Sequence, residues 1–305
     1  MDKPFRTIDE QIDILRSRGL AVGDDARSLL MREGYYSIVN GYKAPFLDRE
    51  ATRRAGEDRY LGGASLSDMH SLFLFDRDLR EVTFHYIVKI ESLVKTTCAY
   101  TFSESHRQPD DYLKQSSFAT ADEYAAFGLK GYLYNIQKLQ GTLLDKATKS
   151  GRAPLKHYRE THGWVPLWVL SHDLTFGNIE HFFNLMKPGE QARVCKRISE
   201  ATGRLGGASG FFGPKEARVG MDVIVKVRNM CAHDERLYCA RLGKRGELSY
   251  SNFFGYASRY LTDEEVGRFS REIARIVVLR SGESEIVSHI LMEMGFDKVG
   301  HARRS

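Results

Sequence analysis

A chain of 305 residues, 42% of them hydrophobic and 28% charged, is long enough to bury a sizeable core and has the balance of a soluble globular protein. Its formal net charge of +5, from 45 basic and 40 acidic side chains, falls short of a dedicated polyanion binder, so a nucleic-acid reading must rest on a local patch. The start lacks the apolar stretch of a signal peptide, no run of about 18 apolar residues occurs, and the cysteines at 98, 195, 231 and 239 form no CxxC pair, which sets aside membrane spans, zinc ribbons and redox motifs. Reduced thiols in a cytoplasmic protein are expected, with no metal and no cofactor.

In chain order, apolar periodicity predicts helices at 7–18 and 24–34. The polar, glycine-ended stretch 49–63 reads as a loop. "SLSD" at 65–68 is a capping signal for the longest helix expected, 71–102. There Leu72, Phe75, Leu79, Val82, Tyr86, Ile90, Leu93, Thr97 and Tyr100 form an apolar stripe. Asp76 with Arg80 and Glu91 with Lys95 stand as acid-before-base pairs at i,i+4. Residues 103–111 break the helix. Further helices are predicted at 122–149, 166–186, 189–202, 216–238, 262–280 and 284–294, and "HARRS" forms a small basic tail. The glycine-rich stretch 203–215 lacks the Gly-Lys-Ser/Thr ending of a phosphate loop and follows no strand, so it reads as a flexible loop. Strand-like alternation is almost absent. The fold expected is all-α, with an N-terminal helical segment, 1–62, packed on a helical domain, 63–305, as one compact unit.

An R-x4-H spacing occurs three times, as Arg80–His85, Arg152–His157 and Arg228–His233, so the spacing alone carries little. Pro154 keeps the second pair out of a regular helix interior, and Asp76 competes for Arg80 in the first. The third lies in "VRNMCAHDERLYCA", 227–240. On one helix over 216–238, Val223, Ile224, Val227, Met230 and Cys231 share one arc and Asp222, Lys226, Arg228, Asn229, His233 and Arg236 the other. Arg228 then stands about 140° from His233. Two copies about a two-fold axis could bring both sets together.

These residue types suit attack of an RNA 2′-OH on the adjacent phosphate. Histidine exchanges protons near neutral pH. Arginine matches phosphate oxygens in a fixed fork. Asparagine can orient either. Lys226 and Arg236 can meet phosphates without reading bases. The plain alternative is a solvated helix face.

"RNMCAHDERLY" (228–238) resembles the signature of the Abi-like family of bacterial abortive-infection proteins, the AbiD/AbiF group, whose members carry a HEPN-type domain. "IDEQIDILRSRGL" (8–20), "GYYSIVNGYKAPF" (34–46), "LFLFDRDLREVTFHYIVKIESLVK" (72–95) and "VPLWVLSHDLTFGNIEHFF" (165–183) resemble further blocks of that family in its order. The resemblance implies a HEPN helical bundle and a metal-independent endoribonuclease of a toxin–antitoxin or anti-phage system, with Arg228, Asn229 and His233 as the catalytic set. It also implies a composite site in a homodimer, an RNA substrate and a restraining small non-coding RNA as partner. Cys239 departs from the family's usual asparagine, and His172 stands where an acid or amide is common.

The upstream blocks admit structural and functional roles. Glu91, Arg80 and Asp76 can support the site, Asp76 and Arg80 as a pair bracing two helices. Tyr35, Tyr36, Tyr42 and Phe46 can stack bases or pack into core and turns, the second being the better fit beside glycines. Trp164 and Trp168 flank Pro166 at a helix start, a place for anchoring. Two rivals to the nuclease are a non-catalytic module that holds a structured RNA and a sensor that buries the histidine face against a phage protein.

Overall fold

The computed structural model describes residues 4–204 and 212–296. The centre of the glycine-rich stretch expected at 203–215, and the "HARRS" tail, lie outside the described residues.

Helix accounts for 72% of the chain and no strand occurs among the described residues, which makes the fold all-α. The helices are α1 (Ile8–Ser17), α2 (Ala26–Glu33), α3 (Arg49–Ala55), α4 (Leu66–Ser105), α5 (Ala121–Ala126), α6 (Tyr132–Lys149), α7 (Ala153–His162), α8 (Leu167–Leu170), α9 (Phe176–Leu185), α10 (Pro188–Ala201), α11 (Pro214–Ala232), α12 (Tyr250–Ala257), α13 (Asp263–Ser281) and α14 (Glu285–Glu293). Thr7 and Glu10 form a capping box that starts α1. Ser65 and Asp68 do the same for α4: Ser65 N–H donates to Asp68 Oδ2 at 3.1 Å, and Asp68 N–H donates back to Ser65 Oγ at 3.0 Å.

Several predicted boundaries are corrected, each by local chemistry. The helix expected at 122–149 is two, because Gly128 and Gly131 both adopt φ +75° and end a helical path. The one expected at 166–186 breaks where Leu174 becomes extended and Thr175 caps α9, accepting from Asn178 N–H at 3.2 Å. The loop expected at 49–63 holds α3, started by Asp48, which accepts from the amides of Glu50 and Ala51. Helices α7 and α12 were not anticipated. Pro154 sits in the first turn of α7, where its missing N–H leaves no bond unmade. The helix expected over 216–238 stops at Ala232.

The chain divides into two compact units. Among the described residues, the first holds those up to Thr83, His233–Ala240 and those from Phe269 to Phe296; the second holds those within Phe84–Ala232 and Arg241–Arg268. The division falls within α4 and within α13. In the first unit α1 packs on α2, and Leu15, Ile38, Phe46, Leu72 and Phe269 are buried. Phe75 meets Phe296 edge to face at 5.1 Å. In the second, α11 packs against α9, α10 and α12. Phe102, Phe118 and Phe182 form a ring cluster with centroids 5.0 to 5.4 Å apart. Each such ring contributes about 1.5–3 kcal/mol of burial.

Candidate functional site

Helix α11 presents Val223, Ile224 and Val227 to the core of the second unit, as its periodicity predicts. This fixes Asp222, Lys226 and Asn229 outward. Lys226 Nζ pairs with Asp222 Oδ2 at 2.8 Å, one turn earlier, so its ammonium is already engaged on its own helix.

Arg228 lies at the edge of this face. Its nearest carboxylate is Glu91, with Nε 3.9 Å from Oε2. Its guanidinium carbon stands 5.9 Å from the centre of the Phe84 ring. The Nε atom is buried and has no hydrogen-bond partner among the described residues. Glu91 is itself engaged, accepting Lys95 Nζ at 2.7 Å. Arg228 is therefore steered by one carboxylate and one ring; its Nε faces the interior, and its two Nη groups, on a side chain 31% exposed, make no hydrogen bond among the described residues. The other two R-x4-H arginines differ. Arg80 pairs with Asp76 at 2.7 Å, and Arg152 pairs with Asp173 at 2.6 Å and donates to the His172 carbonyl at 3.1 Å. Of the three, only Arg228 lacks a short carboxylate contact.

Asn229 is exposed near the end of α11, and His233 is exposed in the turn that follows. Neither side chain has a hydrogen-bond partner among the described residues. The i,i+4 relation between Asn229 and His233, and the i,i+3 relation to Arg236, do not hold as helical neighbours, because the helix ends at Ala232. Asp234 causes the turn: it adopts φ +57°, a left-handed conformation that aspartate tolerates better than most residues.

What holds the following segment is a buried aspartate in the first unit. Asp76, fully buried, accepts from Tyr42 Oη at 2.7 Å and from Arg80 Nη1 at 2.7 Å. It also accepts from Leu237 N–H at 3.0 Å and Tyr238 N–H at 2.6 Å. Arg80 extends its other Nη to Asp234. Burial pushes the Asp76 carboxyl above its ordinary value, against the pull of Arg80, Tyr42 and the two amides. The pair thus braces a non-helical segment, where two helices were expected. Arg236 donates to the Gly41 carbonyl at 2.8 Å. Cys239 is half-buried, and burial raises its thiol pKa.

The predicted residues fall into separate groups. Asp76 and Arg80 join Tyr42 and Asp234; Glu91 joins Arg228 and Lys95; Lys226 joins Asp222. Tyr42, whose sequence context favours core or turn packing, is part of the Asp76 group, and no sequence signal connects it to Asp76, 34 residues away. Phe46 is buried and Tyr36 exposed. Trp164 and Trp168, expected to be anchors, are 37% and 50% exposed. Among the described residues no group of three or more His, Cys, Asp or Glu could hold a metal ion, and no helix is long and apolar enough to cross a membrane.

No curated protein and no solved structure matches the chain. A family model, that of Abi-like proteins, matches residues 28–239, a span that takes in the Asp76 group, Glu91, α11 and the turn after it. Membership of that family supports a role in abortive infection, and with well over half of its length matched, the chain belongs to the Abi-like protein family.

Proposed function

We propose that this protein is a metal-independent HEPN endoribonuclease of the AbiD/AbiF group, acting as a homodimer in a toxin–antitoxin, anti-phage system. The observation that carries the reading is the state of Arg228: its side chain is 31% exposed, its two Nη groups make no hydrogen bond among the described residues, and its closest carboxylate is 3.9 Å away. An arginine left in that state is prepared for an anion from outside the chain.

RNA cleavage by its own 2′-OH needs three services. His233, exposed and unbonded, exchanges protons with the 2′-oxygen or the departing 5′-oxygen. Arg228 stabilises charge developing on the phosphorus oxygens. Asn229 positions the phosphate or the imidazole. Glu91 keeps Arg228 in place, and Asp76 with Arg80 holds the segment after His233. Lys226 and Arg236 add contacts to flanking phosphates. The partners that follow are an RNA substrate and a small non-coding RNA that restrains the toxin in a cytoplasmic setting.

The test is cleavage of labelled RNA by purified protein. His233→Ala and Arg228→Ala should each slow cutting by about 10²–10⁴-fold with the fold intact. Products should end in 2′,3′-cyclic phosphate, and activity should persist in EDTA. Cutting by the double variant at the wild-type rate overturns the residue assignment, and loss of activity on chelation overturns the mechanism. Intact RNA that stays bound to wild type would instead favour a non-catalytic RNA-binding module.

A further inference from the structure

A second face of the protein is chemically unlike an ordinary surface. In the second unit, the last turns of α4 and the segment around α8 flank an open cavity of about 520 Å³. Its lining includes Tyr100, Arg107, Trp168 and His172. A smaller cavity of about 250 Å³ shares Ser103, Arg107 and Trp168 with it and adds Trp164. The larger volume lies in the range of about 300–1,000 Å³ that ligand sites occupy.

The chain has two tryptophans, and both are here. Their rings meet edge to face at 6.3 Å, which leaves flat indole surface toward solvent. Tyr100 is 59% exposed, with the Arg197 guanidinium 4.8 Å from its ring centre. Three large aromatic rings left this wet forgo burial that each would otherwise contribute.

The charge around them is lopsided. Glu104 takes a two-pronged contact from Arg197, with Nη2 at 3.0 and 2.8 Å from its two oxygens. Its carboxyl is held below the ordinary value by that bond first and by the charges of Arg197, Arg193 and Arg107. Of these, only Arg197 contacts the carboxylate among the described residues, while Arg193 donates to Ser105 Oγ at 2.6 Å. Among the described residues Arg107 hydrogen-bonds only a backbone carbonyl, that of Glu104 at 3.3 Å, and it lines both cavities. Flat aromatic faces beside excess guanidinium suit a ligand that is itself a row of flat rings on a polyanion.

We infer that this face binds an unpaired stretch of RNA, its bases stacked on Trp168 and Tyr100 and its phosphates met by Arg107. The inference rests on the proposal that RNA is this protein's ligand, and it assigns a binding surface separate from Arg228, Asn229 and His233. Duplex RNA, whose bases stack on one another, cannot use the aromatic faces.

The test uses the full chain carrying His233→Ala, so that the probe is not consumed. The probe is a fluorescein-labelled oligoadenylate of about 12 nucleotides, within the span of known single-strand sites. Titration is followed by anisotropy. Trp168→Ala and Tyr100→Ala should each weaken binding by about 5- to 150-fold, the loss of one stacked base. Trp168→Phe should restore most of it, which separates stacking from misfolding. Arg107→Ala should lower the slope of log affinity against log salt by about 0.7, one phosphate contact on a single strand. Affinity for a duplex RNA of the same length should not change in the tryptophan or tyrosine variants. Oligoadenylate affinity indifferent to these substitutions, as a face made for a protein partner would give, overturns the inference. Equal weakening toward single-stranded and duplex RNA does so too. If wild type cuts RNA while binding ignores Trp168, this surface fails and the nuclease proposal stands. If binding needs Trp168 while wild type leaves RNA intact, the reverse holds.

Discussion

Replacing Asp76 by alanine removes one acceptor from four donors at once. Tyr42, Arg80 and the amides of Leu237 and Tyr238 all end on its two oxygens. Each hydrogen bond to a charged group contributes about 1.5–3 kcal/mol in isolation. The simple sum overshoots, since water can enter the vacated space and serve some donors. The harder loss is Arg80, whose side chain is 5% exposed and keeps only Asp234 as an acidic partner. Breaking a buried pair by removing one member costs about 3–5 kcal/mol, which is the expected loss for Asp76→Ala. Arg80→Met keeps the aliphatic stem and leaves Asp76 with three donors, so it should cost about half as much, roughly 1.5–2.5 kcal/mol. The double variant should fall short of the sum by about 1 kcal/mol or more, because the second change removes a charge that the first had orphaned. Urea unfolding followed by circular dichroism measures all three. Hydrogen exchange at Leu237 and Tyr238 should accelerate in Asp76→Ala and far less in Arg80→Met. A cost below about 1 kcal/mol for Asp76→Ala, or equal costs for the two single variants, would refute the picture of Asp76 as the shared acceptor.

Other perturbations probe the second unit. A side chain at Gly220 would meet Tyr256, 3.3 Å from where its Cβ would lie, so Gly220→Val should destabilise by about 1–3 kcal/mol in a thermal melt. Phe182→Ala opens the ring cluster with Phe102 and Phe118 and should cost about 3–5 kcal/mol by the same measurement. Burial, and next the charge of Asp222, raise the Glu180 carboxyl above its ordinary value of 4.5. A raised carboxyl favours the folded state fully below the ordinary value and loses that contribution as pH rises through the shifted one. Wild type should therefore lose stability relative to Glu180→Gln as pH rises above the ordinary value of 4.5, and a flat or rising difference would contradict this sign.

Local signals in the sequence carried much of the fold. The stripe along α4 and its capping pair gave a helix that the structure extends to Leu66–Ser105, and the pairs Asp76–Arg80 and Glu91–Lys95 close at 2.7 Å each. The helices expected too long share one origin. Apolar spacing continued through 122–149 and 166–186, while Gly128, Gly131 and the Thr175 cap broke the backbone. The same holds after Ala232, where Leu237 and Tyr238 kept helical phase but their amides bond to a carboxylate more than 160 residues earlier. Spacing reports which side chains are apolar and says nothing of where a backbone amide finds its acceptor. The triplet Arg228, Asn229 and His233 was picked out by residue type. What distinguishes Arg228 from Arg80 and Arg152 is its lack of a short carboxylate contact, and that needs coordinates.

The first unit is discontinuous, and that sets an order on its synthesis. Tyr238 lies 162 residues after the aspartate that its amide serves. At about 5–20 residues added per second, roughly 8 to 30 s separate their emergence from the ribosome. During that interval Asp76 has Arg80 and Tyr42 but none of the backbone donors that complete its shell, and Phe75 waits longer still for Phe296. The stretch that carries Phe75 and Asp76 therefore leaves the ribosome before the partners that finish its core, and the unit closes only after Phe296 has emerged.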